Sequence, residues 1–189
     1  MKSVEVGGGR RAAKDASTFA VDVEKQEQSP MKASKYWATI DPGISGSGIS
    51  LMKGIKLLDY GNIYPGKEWS TWEQRASSIL IGIIQFLPMK LSHVYIEFPS
   101  QFSGAKGLAA SNSNDILKLS CLIGRISELF VERGTKVILV PVQTWKGSLP
   151  KEIVAKRAMK YFGLDKLVSH SADAVGLAMF VLKEKSHGR

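Results

Sequence analysis

Four residues of this chain have the types and settings to hold a hard metal ion. Asp41 ends the apolar run Tyr36-Trp37-Ala38-Thr39-Ile40 and is followed at once by Pro42-Gly43, so a strand delivers the carboxylate and a breaker stops the strand. Glu97 ends a second apolar run, Val94-Tyr95-Ile96. His170 and Asp173 stand three apart in a segment with helical patterning, and residues at that spacing share a helix face. Hard divalent cations prefer oxygen donors, and Mg²⁺ takes a few carboxylates together with water and substrate phosphate. Two such ions about 4 Å apart activate a water and stabilise the leaving oxygen of a phosphodiester. The chemistry implied is metal-dependent phosphodiester hydrolysis.

Each residue also has a plainer reading. Asp before Pro-Gly is a common turn residue, because its side chain bonds to nearby backbone. Glu97 is harder to explain that way: an acid between Ile96 and Phe98 in a buried strand costs several kcal/mol, as an order of magnitude, unless it is paired or bound to metal. His170 is equally a helix-start or surface residue. The metal reading rests on the acids acting together.

The elements that must position them follow from periodicity. Strands are expected over 37–41, 48–52 and 55–62, joined by turns at Gly43, Gly46 and Lys53-Gly54, which makes an antiparallel meander. Ser70-Thr71-Trp72-Glu73 opens a helix as a capping sequence, with Ala76, Ile79, Leu80, Ile83, Ile84 and Leu87 as its apolar face and Pro88 behind it. A short apolar strand over 94–97 suits a buried parallel neighbour. A Gly/Ser/Ala-rich loop over 99–114 then leads to a helix over 115–133, with Ile116, Leu119, Leu122, Ile123, Ile126 and Phe130 inward and Gly134 closing it. A strand over 137–140 and helices over 151–162 and 171–183 complete the order βββαβαβαα, an α/β domain with a mixed sheet.

Composition narrows the partner. The 189 residues amount to one domain with a short appendage. Hydrophobic content of 44% and a mean hydropathy near zero fit a soluble globule. The net charge of +9 and pI of about 9.6 favour a polyanion, with nucleic acid leading over membrane surfaces. One cysteine, Cys121, excludes a disulfide within the chain and is read as a small hydrophobe on a helix, which fits a reducing, intracellular setting. No apolar run is long enough to span a membrane. Residues 1–34 are polar, carry Gly7-Gly8-Gly9 and lack the apolar core of a signal peptide, so a flexible N-terminal tail is expected before a domain over 35–189.

The ordered set Ile40-Asp41-Pro42-Gly43, Tyr95-Ile96-Glu97, Leu117-Lys118-Leu119, Val140-Pro141 with Trp145-Lys146, Lys151-Glu152 and His170-Ser171-Ala172-Asp173-Ala174 resembles the RuvC family of Holliday junction resolvases. The resemblance spans residues 36–183. It implies an RNase H-like fold, with a five-stranded mixed β-sheet flanked by α-helices, and a homodimer that nicks branched DNA at a four-way junction in recombination and repair. It also implies Mg²⁺ or Mn²⁺, two ions per site, held by Asp41 as the bridging ligand, Glu97, Asp173 and His170. His170 falls where most relatives carry a carboxylate, so it either ligates through nitrogen or handles a proton. Lys146 and Lys151 match family lysines that approach the scissile DNA, and Lys106 and Lys118 are second-tier candidates for phosphate contact. Phe98 and Phe102, near the start of the loop after Glu97, are candidates for stacking on opened bases. The helix over 115–133 is a candidate for part of the dimer interface.

Other functions remain open on sequence grounds. The same fold can act on structured RNA or non-junction DNA, and a catalytically silent, basic nucleic-acid-binding module would share the charge. A nucleotide-binding ATPase is disfavoured by the lack of a P-loop.

Overall fold

The computed structural model describes residues 35–99 and 114–187. The expected tail over 1–34, together with Phe102 and Lys106, lies outside those residues.

Three strands, β1 (Tyr36–Asp41), β2 (Ser47–Lys53) and β3 (Lys56–Ile63), form the antiparallel meander. Helix α1 (Trp72–Phe86) crosses to β4 (His93–Phe98), which pairs parallel with β1. Helix α2 (Asp115–Glu132) crosses to β5 (Lys136–Pro141), parallel to β4. The remaining elements are α3 (Val142–Trp145), α4 (Lys151–Phe162) and α5 (Ser169–His187). The sheet order is β3-β2-β1-β4-β5, the mixed five-stranded sheet expected, with β1 at its centre.

Alternation along the strands sorts side chains onto two faces. Ala38, Ile40, Ile49, Val94 and Ile96 pack with Ile79 and Ile83 of α1 and Leu122, Ile126 and Phe130 of α2. On the other face Trp37, Met52 and Tyr95 pack with Trp145, Val154 and the Leu177, Ala178 and Val181 side of α5. Asp41 and Glu97 continue the odd-numbered series of Trp37 and Tyr95, so period two alone assigns both acids to the α5 face.

Local signals explain most boundaries. The Thr71 hydroxyl accepts from the Gln74 backbone N–H while the Gln74 side chain accepts from the Thr71 N–H, a complete capping box at the start of α1. Gly134 takes φ +69° just beyond α2 and bonds back to the Val131 carbonyl.

The structure corrects several expectations. Ile84 is 39% exposed, because the buried stripe of α1 is narrowed to Ala76, Ile79 and Ile83. Cys121 is exposed, one position before the buried Leu122 and Ile123 that face the sheet. The turn of helix at α3 breaks the order βββαβαβαα, and α5 begins at Ser169 rather than at 171. None of the described helices is long and apolar enough to cross a membrane.

Candidate active site

The parallel register of β1 and β4 pairs Ile40 with Ile96, so one step further along each strand Asp41 and Glu97 stand side by side. Both carboxylates emerge at the strands' C-terminal ends. The third acid arrives on α5, whose first turn lies across β2, and its docking depends on several polar contacts. The Asn62 side chain on β3 accepts from the Ser171 backbone N–H at 2.7 Å and donates to the Val168 carbonyl at 3.4 Å, serving as a cap supplied from a neighbouring strand. The Thr39 hydroxyl pairs with Ser50 at 2.6 Å and reaches the Ala174 carbonyl at 2.6 Å. Gly48 gives the helix room: a Cβ there would run into the His170 carbonyl. Gly43 and Gly46 flank the His170 ring, their hypothetical Cβ atoms falling 3.6 and 3.4 Å from its carbons.

These contacts bring six of the sequence-derived residues together. His170 Nδ1 lies 3.0 Å from Asp41 Oδ2. With Asp41 ionised, Nδ1 is the donor of this bond, and in a neutral ring Nε2 then keeps the lone pair. Lys146 Nζ stands 3.1 Å from Asp173 Oδ1 and 3.9 Å from Glu97 Oε1, and Lys151 Nζ stands 3.1 Å from Asp173 Oδ2. Asp173 is therefore held between two ammonium groups. Lys146 meets Asp173 Oδ1 as a charge contact outside hydrogen-bond geometry, which leaves that oxygen, like Glu97 Oε2, buried without a hydrogen-bond donor.

The electrostatic cost of this grouping falls on the two strand acids. Burial pushes the Glu97 carboxyl up to about 8, the charges of Asp41 and Asp173 push the same way, and Lys146 opposes them. The Trp145 indole N–H also faces Glu97 and opposes the rise, yet the two miss hydrogen-bond geometry and Trp145 Nε1 stays unpaired. Burial likewise raises Asp41, against the hydrogen bond from His170, with Asp173 adding repulsion. Acids raised in this way favour a cation or a proton beside them.

Among the described residues, no three His, Cys, Asp or Glu side chains stand as a ready-made metal site. The donor chemistry nevertheless fits a hard divalent ion. His170 pairs with Asp41, Lys146 links Glu97 to Asp173, two carboxylate oxygens lack a hydrogen-bond donor, and ammonium groups already supply cationic charge to Asp173. Asp41, Glu97, Asp173 and His170 Nε2 are the groups that would hold such an ion.

Lys118 and Phe98 stand apart from this cluster. Lys118 pairs with Asp115 at 3.5 Å and lines a cleft of about 540 Å³ with Gly43, Ser45 and Arg75. Phe98 is half-buried and packs against the α1 and α2 core. Sequence reasoning missed Asn62, Thr39, Ser50 and the role of Gly48. The run Gly43, Gly46, Gly48 directly after Asp41 carried a signal, but it reads locally as a turn.

No known family's sequence pattern matches this chain. No curated protein matches it at a significant level. Solved structures do. RuvC of Thermus thermophilus in complex with a Holliday junction substrate superposes with a TM-score of 0.59 at 21% identity, covering 81% of this chain and 96% of that one. A further Thermus thermophilus RuvC structure gives 0.56 at 24% identity with the same coverage. The likeness establishes a shared RuvC/RNase H-like fold.

Proposed function

We propose that residues 35–189 form a divalent-metal-dependent endonuclease that cleaves branched DNA, four-way junctions foremost. The observation that carries this reading is the packing of Asp41, Glu97 and Asp173 against Lys146 and Lys151 at the ends of two parallel strands, with Glu97 forced up to about 8. A basic protein has no structural need for such a costly group of acids, whereas a site for cations and phosphate does. The solved RuvC structure of like fold contains a Holliday junction, which supports the choice of substrate.

Mg²⁺ or Mn²⁺, two ions in this reading, would supply Lewis acidity toward the scissile phosphate and the attacking water. The chain's own groups do the rest. Asp41, Glu97 and Asp173 provide the anionic bed, and Asp41 also fixes the His170 tautomer. His170 Nε2 is then free to ligate or to take a proton from the attacking water. Lys146 and Lys151, drawn to Asp173 in the absence of substrate, turn toward the phosphate and offset the charge that grows in the transition state. Lys118 is a flanking phosphate contact. Phe98, already packed on the core, serves as a fixed apolar wall, and Lys106 and Phe102 remain proposed contacts of the intervening loop. A second copy of the chain would pack on α2, where Leu117 and Val131 are 64% and 60% exposed.

The test is incubation of a synthetic four-way junction, a linear duplex and a structured RNA with Mg²⁺ or Mn²⁺. Paired, symmetric nicks in the junction, lost by at least about a thousandfold in Asp41→Asn, are expected from removing a carboxylate that would hold the metal. An uncut junction, or full activity in Asp41→Asn, overturns the proposal. Preferential cutting of RNA or linear duplex would keep the chemistry and replace the substrate.

A further inference from the structure

Two cavities meet between α4 and α5. One, of about 180 Å³, is lined by Trp145, Lys146, Phe180 and Lys183 and closed below by Gly176. The other, of about 520 Å³, is lined by Lys160 and Tyr161, and both share Arg157, Met179 and Lys183. Adjoining through those three residues, they outline a groove from Lys146, the residue whose ammonium touches Asp173, along the two helices.

The lining is one-signed. Lys146, Arg157, Lys160 and Lys183 border the groove, and no acidic residue does. By contrast, the cleft beside Gly43 mixes Arg75 and Lys118 with Asp115. Arg157 and Lys160 stand three apart on α4 and so project from one face. The groove's floor is closely packed. Gly176 lets α5 approach so closely that a Cβ there would meet Val154 and come within 3.1 Å of the Trp145 ring. Tyr161 is 46% exposed at the outer end, held edge-on to Phe162 at 4.9 Å and with Lys183 Nζ 5.8 Å from its ring centre.

Arg157 and Lys160 on one helix face, beside Lys146 and Lys183 in a concave lining that holds no acid, match the repeating charge of a phosphodiester backbone. We propose that this groove is a second nucleic-acid contact, taking the backbone of a substrate strand that flanks the scissile phosphate. Lys146 is then the shared residue between the reacting phosphate and the flanking strand. This inference rests on the nuclease reading for the identity of the strand, while its groove and charge stand independently of cleavage.

The test measures binding with the full chain in chelator, so that no cleavage is required. A labelled blunt duplex and the same duplex with a single-stranded tail are titrated over a range of NaCl concentrations. For Arg157→Ala/Lys160→Ala, affinity is expected to fall about tenfold at about 0.1 M salt, and the slope of log K against log salt to decrease by roughly one to two. A loss confined to the tailed probe assigns an unpaired strand to the groove, and an equal loss on both assigns duplex backbone. Thermal unfolding confirms that the variant is folded, and Lys56→Ala/Lys67→Ala removes the same charge from exposed positions elsewhere. Unchanged affinity, an affinity loss with no change in slope, or an equal effect of the Lys56 and Lys67 pair would each overturn the proposal. Junction cleavage by the wild type reads the hydrolytic proposal separately: a wild type that cuts while Arg157→Ala/Lys160→Ala binds normally leaves the enzyme and removes the groove.

Discussion

Replacing Glu97 with Gln should make the chelated protein more stable, and more so as pH rises. An acid whose folded pKa is raised binds its proton more tightly in the native state than in the unfolded one. Its cost is therefore absent below its ordinary range, grows through the window between the two values, and is constant above. For Glu97 that window runs from 4.5 to about 8. At about 1.4 kcal/mol per unit, the cost of keeping Glu97 in place is about 1 kcal/mol at about pH 5, about 3 at about pH 7 and nearly 5 at about pH 8.5. Gln keeps the shape and removes the titration, and the pull of Lys146 at 3.9 Å is already contained in the raised value. A pH-dependent gain of about 4 kcal/mol, or about 8–16 °C in Tm, is the expected difference between about pH 5 and about pH 8.5 for a chain of this size. Thermal unfolding followed by far-UV circular dichroism, in EDTA, reads it directly. Adding Mg²⁺ or Mn²⁺ should narrow the gap by stabilising the wild type alone. A Glu97→Gln minus wild-type difference that stays flat with pH would refute the account of the acid cluster.

Other perturbations follow from the same geometry. Lys146→Met should bind Mn²⁺ about tenfold more tightly, measured by calorimetry, because an ammonium no longer competes for Asp173 and Glu97, while junction cleavage slows. Asn62→Ala removes the partner of the Ser171 N–H and should cost about 1–2 kcal/mol in urea unfolding, with a weaker divalent requirement curve as α5 loosens. Gly48→Ala drives a methyl into the His170 carbonyl and should cost more than Asn62→Ala, since backbone must move. Cleavage at limiting metal should fall as pH drops through the raised range of Asp41 and Glu97, and the midpoint should move to lower pH as metal concentration increases.

Much of this arrangement is written locally in the chain, and the remainder is written in contacts between distant residues. Period two along β1 and β4 already assigns Asp41 and Glu97 to one face, and the capping sequence at Thr71 places the start of α1. The i, i+3 pair His170 and Asp173 needs only helical geometry. In contrast, α3 is four residues long, too short for any periodicity to register. Helix α5 is buried almost all round from Ser171 to Met179, so amphipathic patterning gives little notice of where it begins or which side faces the acids. Pairing of His170 with Asp41 across 129 positions, and of Asn62 with Ser171 across 109, depends on how the helix settles on the sheet. The exposure of Cys121 and Ile84 shows the same dependence, since each sits one helical step from a stripe whose width is decided by the neighbouring element.

The acid cluster draws on the first strand, the fourth strand and the last helix, and that order has a consequence for synthesis. Asp41 and Glu97 can be in register as soon as β4 has joined β1, but Asp173, His170 and the partner that aligns both lysines arrive only with α5. Until the residues from Ser169 onward have docked, Trp37, Met52 and Tyr95 lack their cover and Asp41 and Glu97 lack the groups that complete the site. On the nuclease reading proposed above, cutting would be withheld until α5 has docked on the sheet.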